Sequence, residues 1–196
     1  MRSMGTDLER RYVEATDLRV ITGEGMRQKL VGHAIVFNTL SEQLMFFREQ
    51  IAPEAVDRTL NERIDMRALI DHETSKLMGR LTAGTLRVKK DQRGLLVEID
   101  PPDTTYSRDA LESVRRGDLT GMSFAFRTLK DQWDETTDPP TRTVLDMRVS
   151  EVSLVTFPAY PATDVDVAQR SLNAFREQHP YQPSLIMRRR MLDLGQ

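Results

Sequence analysis

Leu119-Thr120-Gly121-Met122-Ser123-Phe124-Ala125-Phe126-Arg127 is the stretch on which the fold turns. Met122, Phe124 and Phe126 alternate with Gly121, Ser123 and Ala125, which is the period of two of a β-strand with one face in a core. The second face carries only small side chains, so another backbone can approach Ser123 closely. Two readings of Ser123 stand side by side: an ordinary strand serine, or a hydroxyl exposed to an incoming chain. It is not the strand-to-helix G-x-S-x-G elbow, because Ala125 and then Phe126 follow it.

Strands dominate on both sides of this stretch. Downstream, 131–141 reads as a polar loop with Pro139-Pro140 at its tip. Residues 143–149 and 151–157 continue the sheet, and Pro158 and Pro161 end it. Upstream, a helix fits 106–116, with Tyr106, Ala110, Leu111 and Val114 on one stripe, cap candidates at 104–107, and Gly117 just past its end. Residues 79–89 and 94–100 form a predicted hairpin across Asp91-Gln92-Arg93-Gly94. Arg63–His72 reads as a strand with Met66, Ala68, Ile70 and His72 on one face, and Pro53 opens a short helix to about Asn61. Residues 11–22, 28–37 and 45–51 are β-prone, the first two flanking Gly23-Glu24-Gly25. No βαβ rhythm repeats. The expectation is a mainly β (α+β) fold, an antiparallel β-barrel or sandwich with a few peripheral helices. Residues 1–10 read as a loose arm, 11–163 as the domain, and 164–196 as a variable tail. The tail holds a helical stretch (165–178), His179-Pro180 and a run at Arg188-Arg189-Arg190.

Composition narrows the function classes. With 30% charged and 39% hydrophobic residues in 196, the chain suits one soluble domain with extensions. A net charge of −2 gives no case for nucleic-acid binding, which needs a clustered basic surface. The absence of cysteine removes disulfides, thiolate catalysis and thiolate metal sites. Met1 to Arg11 has no apolar signal core, and no apolar run reaches the ~20 residues of a membrane span. A cytoplasmic protein with no membrane partner is expected.

Three segments in order carry the chemistry: Ile70-Asp71-His72-Glu73, then Ser123 in its strand, then Val149-Ser150-Glu151-Val152-Ser153-Leu154-Val155. They offer a base, a nucleophile and an orienting acid, the three roles of nucleophilic acyl transfer. His72 is one of three histidines; His33 and His179 have weaker contexts. On a strand, Asp71 and Glu73 point away from the face of His72, so a group from elsewhere must orient its ring. A satisfied, half-buried histidine is the alternative. Strict alternation puts Glu151 on one face with Val149, Ser153 and Val155. A carboxylate there needs a partner, either an imidazole N–H or one of the many arginines. Asp146 is the reserve acid. No H-x-x-x-H or H-E-x-x-H pair is present, so neither a metal nor any other cofactor is expected.

Taken together these segments resemble the HK97-type prohead (capsid maturation) proteases of tailed phages over about residues 11–165. The carriers are Gly32-His33-Ala34-Ile35-Val36-Phe37-Asn38, Glu49-Gln50-Ile51-Ala52-Pro53-Glu54-Ala55-Val56, Leu69-Ile70-Asp71-His72-Glu73 and Leu77-Met78-Gly79-Arg80. The two most specific are Gly117-Asp118-Leu119-Thr120-Gly121-Met122-Ser123-Phe124-Ala125-Phe126 and the run from Glu151 through Phe157-Pro158-Ala159-Tyr160-Pro161-Ala162-Thr163. The resemblance implies a β-barrel like that of herpesvirus assemblin, with His72 as general base, Ser123 as nucleophile and Glu151 as third member. It implies a serine endopeptidase, phage or prophage encoded, packaged in the procapsid in the host cytoplasm. Its substrates would be the scaffolding region of the major capsid protein, or a separate scaffold, and itself. It also allows a homodimer. The competing readings are an inactive capsid-associated scaffolding protein on the same fold and an unrelated esterase using the same residues.

Overall fold

The computed structural model describes residues 8–15, 17–23, 25, 27–157 and 162–178, with side chains from 167 onward in the last segment. Pro158, Pro161, His179-Pro180 and the Arg188–Arg190 run lie outside the described residues. In chain order the strands are β1 (Glu9–Glu14), β2 (Arg19–Thr22), β3 (Gln28–Val36), β4 (Arg48–Ile51), β5 (Arg67–Ile70), β6 (Glu73–Arg80), β7 (Leu86–Lys90), β8 (Gly94–Ile99), β9 (Gly121–Asp134) and β10 (Thr141–Val155). The helices are α1 (Asp57–Asn61), entered through a 3-10 turn at Pro53–Val56, α2 (Thr105–Arg116) and α3 (Ala162–Gln178).

The strands form two sheets. A six-stranded sheet runs β1-β9-β10-β5-β6, with β4 also on β10, and a four-stranded sheet runs β2-β3-β8-β7. No pairing joins the two among the described residues, so the expected closed barrel is not what the hydrogen bonds describe. Nor is the larger sheet purely antiparallel: β4 and β5 both run parallel to β10. The cause lies in the 15 residues of β10, which offer one edge long enough for two short strands end to end. The chain leaves that edge after Ile51, packs a helical turn and α1 against β10, and rejoins it at Arg67. Thr59 of α1 fills the gap between them: its buried hydroxyl donates to the Met147 carbonyl (3.0 Å) and accepts the Val149 N–H (3.0 Å). Alternation reveals strands, but it carries no information about a partner's direction.

Several expected elements divide or merge. Residues 11–22 are not one strand. The chain turns at Ala15–Leu18, where Ala15 N–H bonds Thr120 O and Leu18 N–H bonds Ala15 O, so β1 and β2 serve different sheets. The segments read as 143–149 and 151–157 are one strand, β10, interrupted by a bulge at Ser150 between the pairs Val149–Phe126 and Glu151–Ala125. Residues 79–80 end β6 rather than opening the hairpin, which is formed by β7 and β8 across Asp91–Gly94 as the turn residues predict. Asp91 Oδ1 accepts the N–H groups of Arg93 (2.8 Å) and Gly94 (3.0 Å), closing that turn. Helix α2 has its expected stripe: Ala110, Leu111 and Val114 are buried and Tyr106 packs beside them. Gly117 at φ 77° ends it in the left-handed conformation that only glycine adopts freely.

Met122, Phe124 and Phe126 all face the main core, with Val152, Leu154, Val149, Ile35 and Leu95. Full burial of each Phe is worth ~1.5–3 kcal/mol. At one end of the sheet lies a buried ionic cluster. Arg142 donates to Glu9 (2.6 Å), Glu49 (2.9 Å) and Asp131 (2.7 Å), and Arg11 donates to Glu49 (2.7 Å) and Glu9 (2.9 Å). Burial alone would raise the Glu9 carboxyl, but the Arg142 and Arg11 charges and the Thr128 hydroxyl more than offset it and hold it below the usual carboxylate range. Helix α3 docks on the same end: Ala168 and Leu172 pack with Leu44, Phe47 and Trp133, and Trp133 Nε1 donates to Ser171 (2.9 Å).

Candidate functional site

The structure brings His72 to Glu151 next to the small-residue face of β9, while no hydrogen bond joins Ser123 of that face to His72. Ser123 lies opposite Ser153 of β10 and Tyr12 of β1 in register, and Ala125 lies opposite Glu151 and Arg10. Glu151 and Ser153 share this face with Ser123, but Val149 does not. The extra residue at the Ser150 bulge turns Val149 into the core beside Val152 and Leu154 and sends Glu151 to the opposite side. Strict alternation, which put Val149 beside Glu151, is therefore corrected at this point. The face is covered: Ser123, Ala125 and Ser153 are each at most 1% exposed.

His72 is not the last residue of a strand. Strand β5 stops at Ile70, which pairs with Glu73 of β6, so Asp71-His72 are the two central residues of a tight hairpin turn. Both have positive φ (48° and 60°), the signature of a type I′ turn. Asn and Gly are the usual occupants, and Asp tolerates the region better than most residues. The strained turn is anchored from both sides: Asp71 N–H bonds Leu154 O (2.8 Å), and Asp71 Oδ1 accepts the Thr156 N–H (3.1 Å). It projects the imidazole over β10, where Nδ1 lies 2.5 Å from Glu151 Oε1. That contact supplies the orienting group which Asp71 and Glu73 do not.

Glu151 Oε1 also accepts the Ser153 hydroxyl at 2.7 Å. Burial by itself would raise the Glu151 carboxyl. The hydrogen bonds from His72 and Ser153, with the nearby charge of Arg10, outweigh it and hold the group below the usual range, so it is ionised near neutral pH. Two other atoms stand out. The Ser123 hydroxyl and His72 Nε2 are both closed to solvent and without a hydrogen-bond partner among the described residues. Buried polar atoms left unsatisfied in a native fold call for an explanation, and catalytic groups awaiting a substrate are one. Hydrogen bonds of this kind often shorten only when substrate is bound.

The other candidates are engaged elsewhere. His33 has Asp17 at Nδ1 (2.6 Å) and Asp91 at Nε2 (3.0 Å), leaving neither ring nitrogen for chemistry. Asp146 is held by the Arg58 guanidinium (2.7 Å). In the 142–148 segment, Arg142 belongs to the buried ionic cluster and Arg148 pairs with Glu62 (3.1 Å). His179 lies outside the described residues. Sequence reasoning gave Ser153 no role, although its spacing of two from Glu151 already put both on one strand face. Tyr12 was also missed: its ring packs where a side chain at position 121 would stand, since a Cβ there would lie 2.3 Å from it, so Gly121 makes room beside Ser123. A cavity of about 490 Å³ is lined by Tyr12, Leu40, Gln50, Arg93 and Phe124 among others, but by none of Ser123, His72 and Glu151.

Among the described residues no helix is long and apolar enough to cross a membrane. No curated protein and no solved structure matches the chain. A family model does, over residues 14–178, a span that holds β2 to β10, the Asp71-His72 turn and all of α3. By that match the chain belongs to the caudovirus prohead serine protease family.

Proposed function

We propose that this capsid maturation protease is a serine endopeptidase with Ser123 as nucleophile, His72 as general base and Glu151 as the acid that orients the base. The observation carrying this reading is the Nδ1–Glu151 contact of 2.5 Å, on the sheet face where the Ser123 hydroxyl lies without a partner among the described residues. With Nδ1–H donated to the carboxylate, the proton-free nitrogen of the ring is Nε2, the tautomer a general base requires. Nε2 takes the hydroxyl proton as Ser123 Oγ attacks the peptide carbonyl, and Glu151 stabilises the imidazolium. The imidazolium then protonates the leaving amine. Water, deprotonated by Nε2 in turn, releases the acyl group from Ser123. Backbone N–H groups hold the oxyanion. No cofactor is needed for this chemistry.

Family membership supports a capsid or scaffold substrate and action inside the procapsid. The finer proposal is that the enzyme removes the scaffolding region of the major capsid protein, or a separate scaffold, and then cleaves itself. Its catalytic unit is the 11–163 domain together with Glu9 and Arg10, which β1 pairs with β9 and so takes out of the expected arm. Residues 164–196 are a variable tail whose helix α3 docks on that unit. Activity through a homodimer belongs to the same proposal, and activity per molecule that stays constant over a wide dilution series would remove that part.

The test is intact-protein mass spectrometry of wild type and Ser123→Ala with and without a fluorophosphonate probe. A single adduct on the Ser123 peptide, and self-cleavage fragments, should appear in wild type only. Wild type with neither adduct nor fragments at high concentration would overturn the reading and favour an inactive scaffolding protein on this fold.

A further inference from the structure

Ser153 is fully buried, directly opposite Ser123, and used by no step above. Its hydroxyl does two things at once. It donates to Glu151 Oε1 (2.7 Å), the same oxygen that faces His72 Nδ1, and it accepts the backbone N–H of His72 (3.3 Å). The three residues thus close a ring of hydrogen bonds: His72 N–H to Ser153 Oγ, Ser153 O–H to Glu151 Oε1, and His72 Nδ1–H to that same oxygen.

We infer that Ser153 is a positioning residue that locks the His72 turn and the Glu151 carboxylate into one unit. This rests on the proposed roles of His72, Ser123 and Glu151. Two features of the site call for such a device. His72 sits in a positive-φ turn that the backbone alone does not favour, so its ring direction is set by whatever holds its main chain. A Glu side chain has one more rotatable bond than Asp, so its carboxylate needs a second anchor to present one oxygen at a fixed place. The hydroxyl meets both needs with one atom. It is held there by β10 itself: the spacing of two sets Glu151 and Ser153 on one face, their pairing with Ala125 and Ser123 makes it the face of Ser123, and the pairing of Leu154 with Ile70 brings the turn alongside. Two donors on one carboxylate oxygen also share its electron density, so Ser153 limits how strongly that oxygen draws the Nδ1 proton.

Ser153 does not act as the nucleophile in this scheme. Its proton is committed to Glu151, whereas the Ser123 hydroxyl is uncommitted among the described residues.

The experiment compares wild type, Ser153→Ala and Ser153→Cys. Cysteine fills the packed site with a somewhat larger side chain while replacing a strong donor by a weak one. Three quantities are read: Ser123 labelling by the fluorophosphonate, kcat and KM on a cleaved peptide, and the low-field proton resonance of the His72–Glu151 hydrogen bond. Both variants should remain folded by thermal melting, label at Ser123, and lose ~10–100-fold in kcat with KM within ~3-fold, as removal of a group that orients a base predicts. The low-field resonance should shift in both, which a purely structural loss of packing in Ser153→Ala would not produce in Ser153→Cys. Unchanged kcat and an unmoved resonance in a folded Ser153→Cys would overturn the inference while leaving the Ser123 reading intact. Absence of a Ser123 adduct in wild type would instead strike the underlying reading, and label on Ser153 would overturn both.

Discussion

Replacing Glu151 by glutamine keeps the outline of the side chain and removes its charge. The carboxylate and imidazole touch at 2.5 Å, which puts their charge centres roughly 4 Å apart when His72 becomes an imidazolium. In a site of this partial burial an effective dielectric near ~20 makes that attraction worth about 4 kcal/mol, or on the order of 10³-fold in rate. The amide has a second effect. With its oxygen towards the ring it accepts from Nδ1–H, but with the amide inverted its NH₂ donates to Nδ1 and stabilises the tautomer with the proton on Nε2, which cannot act as base. The expected outcome is therefore a fall of ~10³–10⁴ in kcat with KM little changed, because Glu151 lies behind the histidine. The assay is the rate of fluorophosphonate labelling of Ser123, followed by mass spectrometry, with kcat and KM on a cleaved peptide beside it. A loss below ~10-fold in a folded Glu151→Gln variant would refute the role of this carboxylate, since no geometry with the charge at 2.5 Å makes its removal so small.

Two further expectations concern stability. Arg142→Met removes a guanidinium that is 1% exposed and bonded to Glu9, Glu49 and Asp131, leaving buried carboxylates under-compensated; the cost should be ~3–5 kcal/mol at pH 7 by urea denaturation. Glu9 is held below the usual carboxylate range in the folded protein, so its contribution is present above the unfolded value near ~4.3 and is lost as pH falls through the lowered folded value. The gap between wild type and Arg142→Met should accordingly narrow as pH falls below ~4.5, and a gap independent of pH would count against the ionic account. Asp71→Ala puts an ordinary side chain at φ 48° and removes the bond to the Thr156 N–H, which should cost ~1–2 kcal/mol in thermal or urea unfolding. It should also slow Ser123 labelling, because the turn aims His72. A variant as stable and as fast as wild type would show that the turn is not held by this carboxylate.

The sequence carried a good part of this. Met122, Phe124 and Phe126 against Gly121, Ser123 and Ala125 is a local signal, because side-chain direction along a strand depends only on parity. The same holds for the α2 stripe and the turn at Asp91–Gly94, where local propensity and tertiary packing agree. His72, Ser123 and Glu151 stand out in the chain as an imidazole, a hydroxyl and a carboxylate, each in an apolar or small-residue setting. What parity could not give was anything that depends on a second strand. One inserted residue at Ser150 reverses the face of everything before it, so Val149 is in the core and Glu151 at the site, and a bulge is defined only by the partner's register. The two parallel pairings on β10, the splitting of 11–22 between sheets, and the turn that lifts His72 off the strand are of the same kind. So is the ring through Ser153, which needs β5, its turn and β10 together. Residue chemistry and local periodicity are written in the chain; which strands lie side by side, in what direction and register, is decided by burial of the shared core, and that packing brings Glu151 to within hydrogen-bond reach of His72.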